Sequence, residues 1–243
     1  MNPNKHVGLL ASALFAAFLC GGSPALAQTA PDLGTAQSYA VLGGSTVTNT
    51  GATVLNGDLG VWPGTAITGF PPGIVNGTIH AGDAAAQQAQ SDLVIAYNDL
   101  AGQACTTDLT GQDLGGLTLT SGVYCFSTSA QLTGTLQLDA QGDLNAVFVF
   151  QIGSTLTTAT DSSVLMINAG QDCNLFWQVG SSATLGTGTT LLGSILALTD
   201  ITMTTSASAS GRILARNGAV TLDTSSVDVC TLVPVELMSF NVE

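Results

Sequence analysis

Short apolar runs alternate with polar runs through the second half of the chain, from residue 148 to residue 230. The sequence Gly-Ser-Ile-Leu-Ala at residues 193–197 returns as Gly-Arg-Ile-Leu-Ala at residues 211–215. A repeat of about 18 residues is too short for a pair of helices, but it suits one coil of a β-solenoid with three sides. The pattern predicts an all-β chain whose stacked coils share one core of Val, Ile, Leu and Phe.

A Thr-rich or Ser-rich run follows each apolar run. Neighbouring strands lie about 4.8 Å apart and alternate residues about 6.7 Å apart, so stacked runs would form a flat lattice of threonines. The Thr-small-Thr pattern at residues 158–160 is expected to coincide with that at residues 187–189 in the next coil. β-propensity and solubility alone would explain many of these threonines. The candidate site residues from this pattern are Thr158, Thr160, Thr187, Thr189, Thr205 and Thr224.

The spacing of apolar residues changes to three and four after residue 83, which predicts one helix at about 83–102. Its apolar stripe consists of Ala86, Ala89, Leu93, Ala96, Tyr97 and Leu100. Asp83 is a suitable N-cap and Gly102 a suitable end for the helix. The helix interrupts the solenoid, because residues 34–69 also have the pattern of coils. We expect these first coils to join the later stack, with the helix along one side.

The first 27 residues have the features of a signal peptide. Lys5 precedes a largely apolar stretch at residues 7–19, and Ala-Leu-Ala at residues 25–27 suits cleavage by signal peptidase. The apolar stretch is too short to span a membrane. We therefore predict a secreted, extracellular protein with a solenoid domain at residues 28–232 and a C-terminal tail or linker at 233–243. Attachment to the cell surface stays open.

Four cysteines remain after such cleavage: Cys105, Cys125, Cys173 and Cys230. An even number in an exported chain indicates two disulfides. Pairing Cys105 with Cys125 is the local choice and would close an excursion at about residues 104–126. Cys173 would then pair with Cys230 and tie the last coils, although the sequence leaves the other pairings open. No CxxC occurs and His80 is the only histidine after residue 27, which argues against zinc.

The net charge of the chain limits the classes of partner that it can bind. The formal net charge is −13, and Arg212 and Arg216 are the only basic residues after the predicted cleavage site. Nucleic acids and anionic membranes require basic surfaces, so we expect neither as a partner. The two arginines are expected to pair with Asp200 or Asp223 at neighbouring corners.

The sequence contains little evidence for a catalytic site. His80 has no accompanying GxSxG nucleophile motif. The acidic residues occur singly at expected turns, where capping of the turn explains them. We expect no enzyme activity, no metal and no cofactor. The flat threonine array is the main functional feature, because methyl groups favour ordered water and hydroxyls anchor it.

Several segments in order resemble the microbial ice-binding proteins built on a discontinuous β-solenoid. They lie between residues 33 and 230 and are LGTA at 33–36, YAVL at 39–42, GDLGV at 57–61, GTAITGF at 64–70, GVY at 122–124, FVFQI at 148–152, FWQVG at 176–180, GSILA at 193–197 and GRILA at 211–215. The resemblance implies a right-handed parallel solenoid of triangular section with one long helix alongside. It also implies ice binding through one flat face, in a protein that we expect to be a monomer.

The family's face often carries a Thr-Ala/Gly-x-Thr/Asn pattern. Residues 50–53, 65–68 and 187–190 fit it, whereas residues 158–161 depart at the last position. This match adds Thr50, Thr53, Thr65 and Thr68 to the candidate ice-binding residues. The alternative is a cell-surface adhesion or carbohydrate-binding module that uses the same flat solenoid, although exposed aromatic residues, which sugar sites usually display, are few.

Overall fold

The computed structural model of the protein describes Met1 and residues 28–231. Three parallel β-sheets form the sides of a solenoid, and one long helix lies against the first sheet. The predicted signal peptide and the predicted tail at 233–243 lie outside the described residues, apart from Met1. The predicted boundaries of the solenoid domain therefore stay predictions.

The strands of each sheet are given in their spatial order. The first sheet contains β7 (Ile79–Ala81), β4 (Asp58–Val61), β1 (Tyr39–Gly43), β22 (Ile213–Ala215), β19 (Ser194–Ala197), β16 (Leu175–Val179), β13 (Phe148–Ile152), β10 (Gly122–Phe126) and β8 (Thr107–Asp108). The second contains β11 (Ala130–Leu132), β14 (Leu156–Thr158), β17 (Ala183–Leu185), β20 (Ile201–Met203), β23 (Val220–Asp223), β2 (Thr46–Thr50) and β5 (Ala66–Thr68). The third contains β6 (Ile74–Val75), β3 (Val54–Asn56), β24 (Ser226–Asp228), β21 (Ser208–Ser210), β18 (Thr190–Leu192), β15 (Ser163–Ile167), β12 (Thr135–Asp139) and β9 (Thr118–Thr120).

The solenoid is discontinuous in sequence, as predicted. The chain begins in the middle of the stack, coils to one end, and returns to the opposite end after the helix. It then coils back until the last coil meets the first. At this seam β22 pairs with β1, β23 with β2 and β24 with β3, all in parallel. The first coils therefore join the later stack, as expected.

Large apolar side chains fill the solenoid core in ladders. Tyr124, Phe150 and Trp177 occupy one ladder position in successive coils, with ring centroids 5.3 Å and 4.2 Å apart. The ladder continues through Ile195 and Ile213, which confirms the 18-residue repeat. The indole Nε1 of Trp177 donates to the carbonyl of Leu192, so its polar atom is satisfied inside the core.

The helix α1 (Ala84–Gly102) begins at the predicted N-cap, where an Asp83 carboxylate oxygen accepts a hydrogen bond from the amide of Ala86. Every residue of its predicted apolar stripe is buried. The stripe packs on outward apolar residues of the first sheet, including Leu42, Phe176 and Leu214. Gln90 donates to the carbonyls of Gly43 and Ala215, which belong to the two strands that meet at the seam.

The predicted excursion at 104–126 is wrong. This segment forms solenoid strands, because β8 pairs with β10 and β9 pairs with β12. Leu109 and Leu114 within it are buried in the common core. The segment therefore provides the last coil at one end of the stack. Both predicted disulfides are present and connect Cys105 to Cys125 and Cys173 to Cys230.

The predicted ion pairs of Arg212 and Arg216 are also wrong. Arg212 is 3% exposed, and its Nε donates to the carbonyl of Gln37 at 2.8 Å across the seam. Burial lowers the pKa of Arg212 to about 10, so the group stays charged at neutral pH. The guanidinium of Arg216 lies 4.6 Å from the ring centroid of Tyr97. Backbone carbonyls and an aromatic ring take the place of the expected carboxylates.

Candidate functional site

The three sides of the solenoid present different surfaces. The helix covers the first sheet, whose outward residues form an apolar layer beneath it. The second and third sheets carry no such cover within the described part of the chain. A surface that is to contact another body can therefore use the second or the third sheet.

Six threonines form one straight row along the middle of the second sheet. In-register parallel pairing places each of them beside the next, from Thr157 at one side to Thr68 at the other. The central threonine row consists of Thr157, Thr184, Thr202, Thr221, Thr48 and Thr68. At a strand spacing of about 4.8 Å the row is roughly 24 Å long. Its side chains are exposed or half-buried.

The local sequence explains why these threonines face outward. Each one except Thr68, which precedes Gly69, lies between two buried residues, such as Ile201 and Met203 around Thr202, both of which are fully buried. Side chains on a strand alternate between its two faces. β-branching also fixes χ1 of Thr in few states, which keeps the row ordered before anything binds.

The hydroxyls of the row are largely free of protein partners. Thr48 and Thr221 lie 3.4 Å apart, measured between their Oγ1 atoms across the seam. The hydroxyls of Thr157, Thr184, Thr202 and Thr68 have no hydrogen-bond partner among the described residues. They are therefore available to order water.

Charge is sparse on this side. Asp223 is the only charged residue within the strands of the second sheet, and Asp200 directly precedes β20. A carboxylate oxygen of Asp200 accepts from the backbone amide of Ala219 at 2.7 Å. The surface is therefore weakly polar and sparsely charged, which suits contact with ordered water better than with a charged macromolecule.

Seven of the ten predicted threonines lie on or near this surface. Thr68 belongs to the central row, Thr50 lies in register with Asp223 at the end of β2, and Thr65 is exposed just before β5. The corner row, at the turn from the second to the third sheet, comprises Thr160, Thr187, Thr205 and Thr224. The first three each precede the left-handed residue of their coil, and Thr224 is itself that residue, so Asp223 holds the position equivalent to the other three. All four threonines are exposed, so the structure brings these predicted residues together along one edge of the surface.

The other three predicted threonines are buried, so they cannot contact another body at the surface. Thr53 and Thr189 have no exposed surface and Thr158 is 3% exposed. The hydroxyls of Thr158 and Thr189 bond to each other at 2.7 Å, and that of Thr53 accepts from the amide of Ser225. The expected coincidence of residues 158–160 with 187–189 is also wrong, because Thr157 pairs with Thr184.

Sequence reasoning missed five residues of the central row: Thr48, Thr157, Thr184, Thr202 and Thr221. The signal was present, since each is one polar residue between two inward-facing residues, with an apolar residue directly before it. The predicted pattern followed the Thr-small-Thr motif instead. That motif marks the corner of the coil, where the chain turns and inward and outward positions change places.

The third sheet carries a less uniform row. Thr135, Ser163, Thr190, Ser208 and Ser226 lie in register, but Val54 and Ile74 continue the row. Ile74 is 54% exposed and Leu165, on the same sheet, is 47% exposed. Serine also lacks the methyl group and the χ1 stiffness of threonine. The second sheet is therefore the better candidate surface.

His80 and Asp83 form a pair with a structural role. His80 Nδ1 lies 2.8 Å from an Asp83 carboxylate oxygen at the start of the helix. Hydrogen bonds from the amide of Ala86 and from His80 lower the pKa of Asp83. The described residues contain no group of three or more His, Cys, Asp or Glu side chains arranged to hold a metal ion. None of their helices is long and apolar enough to cross a membrane.

Comparison with known proteins agrees with this geometry. The family model described as "Ice-binding-like" matches residues 41–228. An ice-binding protein of Nostoc sp. (strain HG1) is 57% identical over 96% of this chain and 86% of its own length. A crystal structure of an ice-binding protein from an Antarctic biological consortium has a TM-score of 0.81 and 48% identity, over 83% of this chain and 92% of that one.

A second solved structure, the ice-binding protein of the Antarctic ascomycete Antarctomyces psychrotrophicus, also has a TM-score of 0.81, with 43% identity over 84% of this chain and 100% of that one. Fold, sequence and family model therefore agree over nearly all of the described solenoid. This chain belongs to the ice-binding-like family of β-solenoid proteins, which is a family of binding proteins and not of enzymes.

Proposed function

We propose that this chain adsorbs to ice through the second sheet, with the central threonine row as the main contact. The observation that carries the proposal is the row itself: six outward threonines in register, on a side that no helix covers. The relatives that the chain matches are named ice-binding proteins, which supports the same conclusion.

The physical mechanism follows from the chemistry of threonine. The methyl groups favour a caged arrangement of water and the free hydroxyls anchor it, so the surface holds an ice-like layer. The row is ordered in advance by stiff χ1 angles and by the sheet, so little conformational entropy is lost on adsorption. Ice that grows between adsorbed molecules becomes curved, which lowers its local freezing point and slows recrystallisation.

Secretion and action as a monomer belong to the same proposal. The signal-peptide features at residues 1–27 and the two disulfides support an extracellular protein. A molecule with one adsorbing side needs no second copy to present the row. Ice is therefore the proposed partner, and the net charge of −13 argues against nucleic acids and anionic membranes.

The test measures thermal hysteresis and ice-crystal shape with the purified chain from residue 28 and two variants, Thr184→Tyr and Thr202→Tyr. A tyrosine in the middle of the row would lift the flat surface off the ice lattice. We expect both variants to lose most of the hysteresis and to keep the melting temperature of the wild type.

Two matched controls place the same bulk on the other sides. Ser208→Tyr alters the third sheet, and Ile95→Tyr alters the outer side of the helix, where Ile95 is 65% exposed. Both should retain hysteresis. Loss in Ser208→Tyr with retention in Thr184→Tyr would move the contact to the third sheet. A folded wild type without hysteresis would refute ice adsorption and favour an adhesion role.

A further inference from the structure

The carboxylate of Asp223 lies at the edge of the second sheet and contacts two threonines of the corner row. Thr205 Oγ1 donates to one carboxylate oxygen at 2.5 Å, and Thr224 Oγ1 donates to the other at 3.1 Å. Asp223 itself pairs in register with Thr50 of the neighbouring coil. One acidic side chain thus fixes the hydroxyls of two exposed threonines in adjacent coils.

The backbone at Thr224 has the left-handed conformation of the turn between the second and third sheets. Thr224 has φ = 48°, a left-handed conformation that β-branched residues rarely adopt. At the corresponding turn of the two neighbouring coils the left-handed residues are Ser206, with φ = 61°, and Gly51, with φ = 80°. The turn therefore repeats along the stack, and glycine would adopt it at position 224 with less strain than threonine does.

The next coil leaves space for this threonine. A Cβ on Gly51 would lie 2.3 Å from Thr224 Oγ1, so any side chain at position 51 would collide with that hydroxyl. The amide of Thr224 also donates to the carbonyl of Thr50 at 2.8 Å. Gly51 therefore leaves room for the Thr224 hydroxyl, and the carbonyl of Thr50 holds the Thr224 backbone in place.

We propose that Asp223 is a positioning residue for ice adsorption, which orients the hydroxyls of Thr205 and Thr224 so that the corner row extends the contact beyond the central threonine row. This inference rests on the proposed function. A hydroxyl that donates to Asp223 has its proton direction fixed, so its oxygen presents only acceptor positions to water. Asp223 therefore fixes the orientation of these two hydroxyls and makes them hydrogen-bond acceptors before the protein contacts ice.

Asp200 provides a matched control. It directly precedes β20 of the second sheet, and one of its carboxylate oxygens accepts from the backbone amide of Ala219, while no threonine hydroxyl among the described residues binds it. Asp223→Ala and Asp200→Ala remove the same charge from the same side. Only the first releases threonine hydroxyls.

The experiment measures thermal hysteresis and melting temperature for wild type, Asp223→Ala, Asp223→Asn, Thr224→Gly and Asp200→Ala at equal concentration. Asp223→Ala should lose roughly half of the hysteresis, because two ordered side chains become free to rotate. Asp223→Asn should lose less, since its amide keeps one acceptor oxygen. Thr224→Gly should melt at the wild-type temperature or above it and still lose hysteresis. Asp200→Ala should match the wild type in hysteresis.

Three results would overturn the inference. They are full hysteresis in Asp223→Ala, full hysteresis in Thr224→Gly, and an equal loss in Asp200→Ala, which would indicate charge and not positioning. If Asp223→Ala melts much lower, Thr224→Gly decides the question, because relief of strain cannot unfold the coil. Thr184→Tyr separates the two proposals. If Thr184→Tyr keeps full hysteresis, the central threonine row is not the ice contact. If Thr184→Tyr loses hysteresis while the Asp223 variants keep it, only the role of Asp223 is refuted.

Discussion

Thr157 and Thr158 are neighbours on β14 but meet opposite environments. Thr157 is exposed and its hydroxyl has no partner among the described residues. Thr158 is 3% exposed, and its Oγ1 accepts from the amide of Gly186 at 2.9 Å while it also bonds to Thr189. Threonine therefore presents a free hydroxyl at the surface at position 157 and forms buried hydrogen bonds at position 158.

Substituting valine at each position separates these roles, because valine keeps the shape of threonine and removes the hydroxyl. Thr158→Val leaves the half-buried amide of Gly186 without its side-chain acceptor, so we expect the free energy of unfolding to fall by about 1–3 kcal/mol. Thr157→Val should leave that free energy unchanged and reduce thermal hysteresis modestly. Urea denaturation and hysteresis measurements on both variants provide the check.

Two outcomes for Thr158→Val would contradict this assignment of roles. Equal stability of Thr158→Val and the wild type would show that the buried hydroxyl network is dispensable. Hysteresis lost in Thr158→Val at unchanged stability would show that this side chain affects the ice contact, despite its burial.

The helix is the element that the sequence predicted best. Its bounds, its N-cap and all six residues of its apolar stripe were predicted from local spacing, and the structure confirms them. Local spacing suffices here because a helix buries residues three and four apart whatever it packs on. The same spacing could not show that Gln90 would bond two strands that meet at the seam.

The coil at residues 107–126 shows the opposite case. Its strands are short, and β8 and β9 contain only two and three residues. Strands of this length have little pattern of their own and exist because a neighbouring coil supplies their hydrogen bonds. The sequence therefore suggested an excursion where the structure has a terminal coil.

Asp92 ties the helix to the short 3₁₀ turn Gly34–Ser38. Thr35 donates to one Asp92 carboxylate oxygen from its hydroxyl at 2.6 Å and from its amide at 2.7 Å, and Gln88 donates to the other. The hydroxyl of Thr35 contributes most to lowering the pKa of Asp92. The folded state therefore favours the charged carboxylate.

This preference predicts an acid dependence of stability. Asp92 stabilises the fold fully above its unfolded pKa of about 3.9, and this contribution is lost as the pH falls through the lower folded-state pKa. Asp92→Asn should melt below the wild type at pH 7, and the difference should shrink below about pH 4. Melting temperatures from pH 7 down to pH 2 provide the measurement.

Asp99→Asn is the control on the same helix, because Asp99 has no hydrogen-bond partner among the described residues. Its melting curve should follow the wild type at every pH. A constant difference between Asp92→Asn and the wild type down to pH 2 would exclude a charge-dependent role for Asp92.

At the scale of the whole molecule, the disulfides hold a discontinuous stack together. Cys173 precedes β16 and Cys230 follows β24, so this bond links coils that are separated by 57 residues. Arg212 Nη1 lies 3.4 Å from the sulfur of Cys230, and Arg212 Nε binds the carbonyl of Gln37 in the first coil. The end of the solenoid repeat is therefore fastened beside its beginning.

Loss of this disulfide should destabilise the fold more than loss of the other one. In the chain-entropy model, closing 57 residues contributes about 4 kcal/mol, and closing 20 residues contributes about 3 kcal/mol. Cys173→Ser/Cys230→Ser should therefore melt lower than Cys105→Ser/Cys125→Ser. Hysteresis is measured near the freezing point, far below unfolding, so both variants should retain it. Calorimetry together with hysteresis checks both parts, and the reverse order of melting would contradict the loop-length argument.

The sequence by itself determined the repeat, the helix, the presence of two disulfides and the class of function, and the structure fixed which cysteines pair. These depend on spacing along the chain, on the even cysteine count and on segments that resemble one family, all of which are local or ordered features. Alternation of apolar and polar residues is imposed by the two faces of a strand, so it is visible before folding.

Only the tertiary structure decided which threonines share a surface. The row joins Thr221 to Thr48, which lie 173 residues apart, because the last coil stacks on the first. At a corner of the coil, a shift of one residue along the chain moves a side chain from the surface to the core. Thr158 and Thr189 are therefore buried, whereas Thr160 and Thr187 are exposed. Register between coils is a property of the stack, and no single coil contains it.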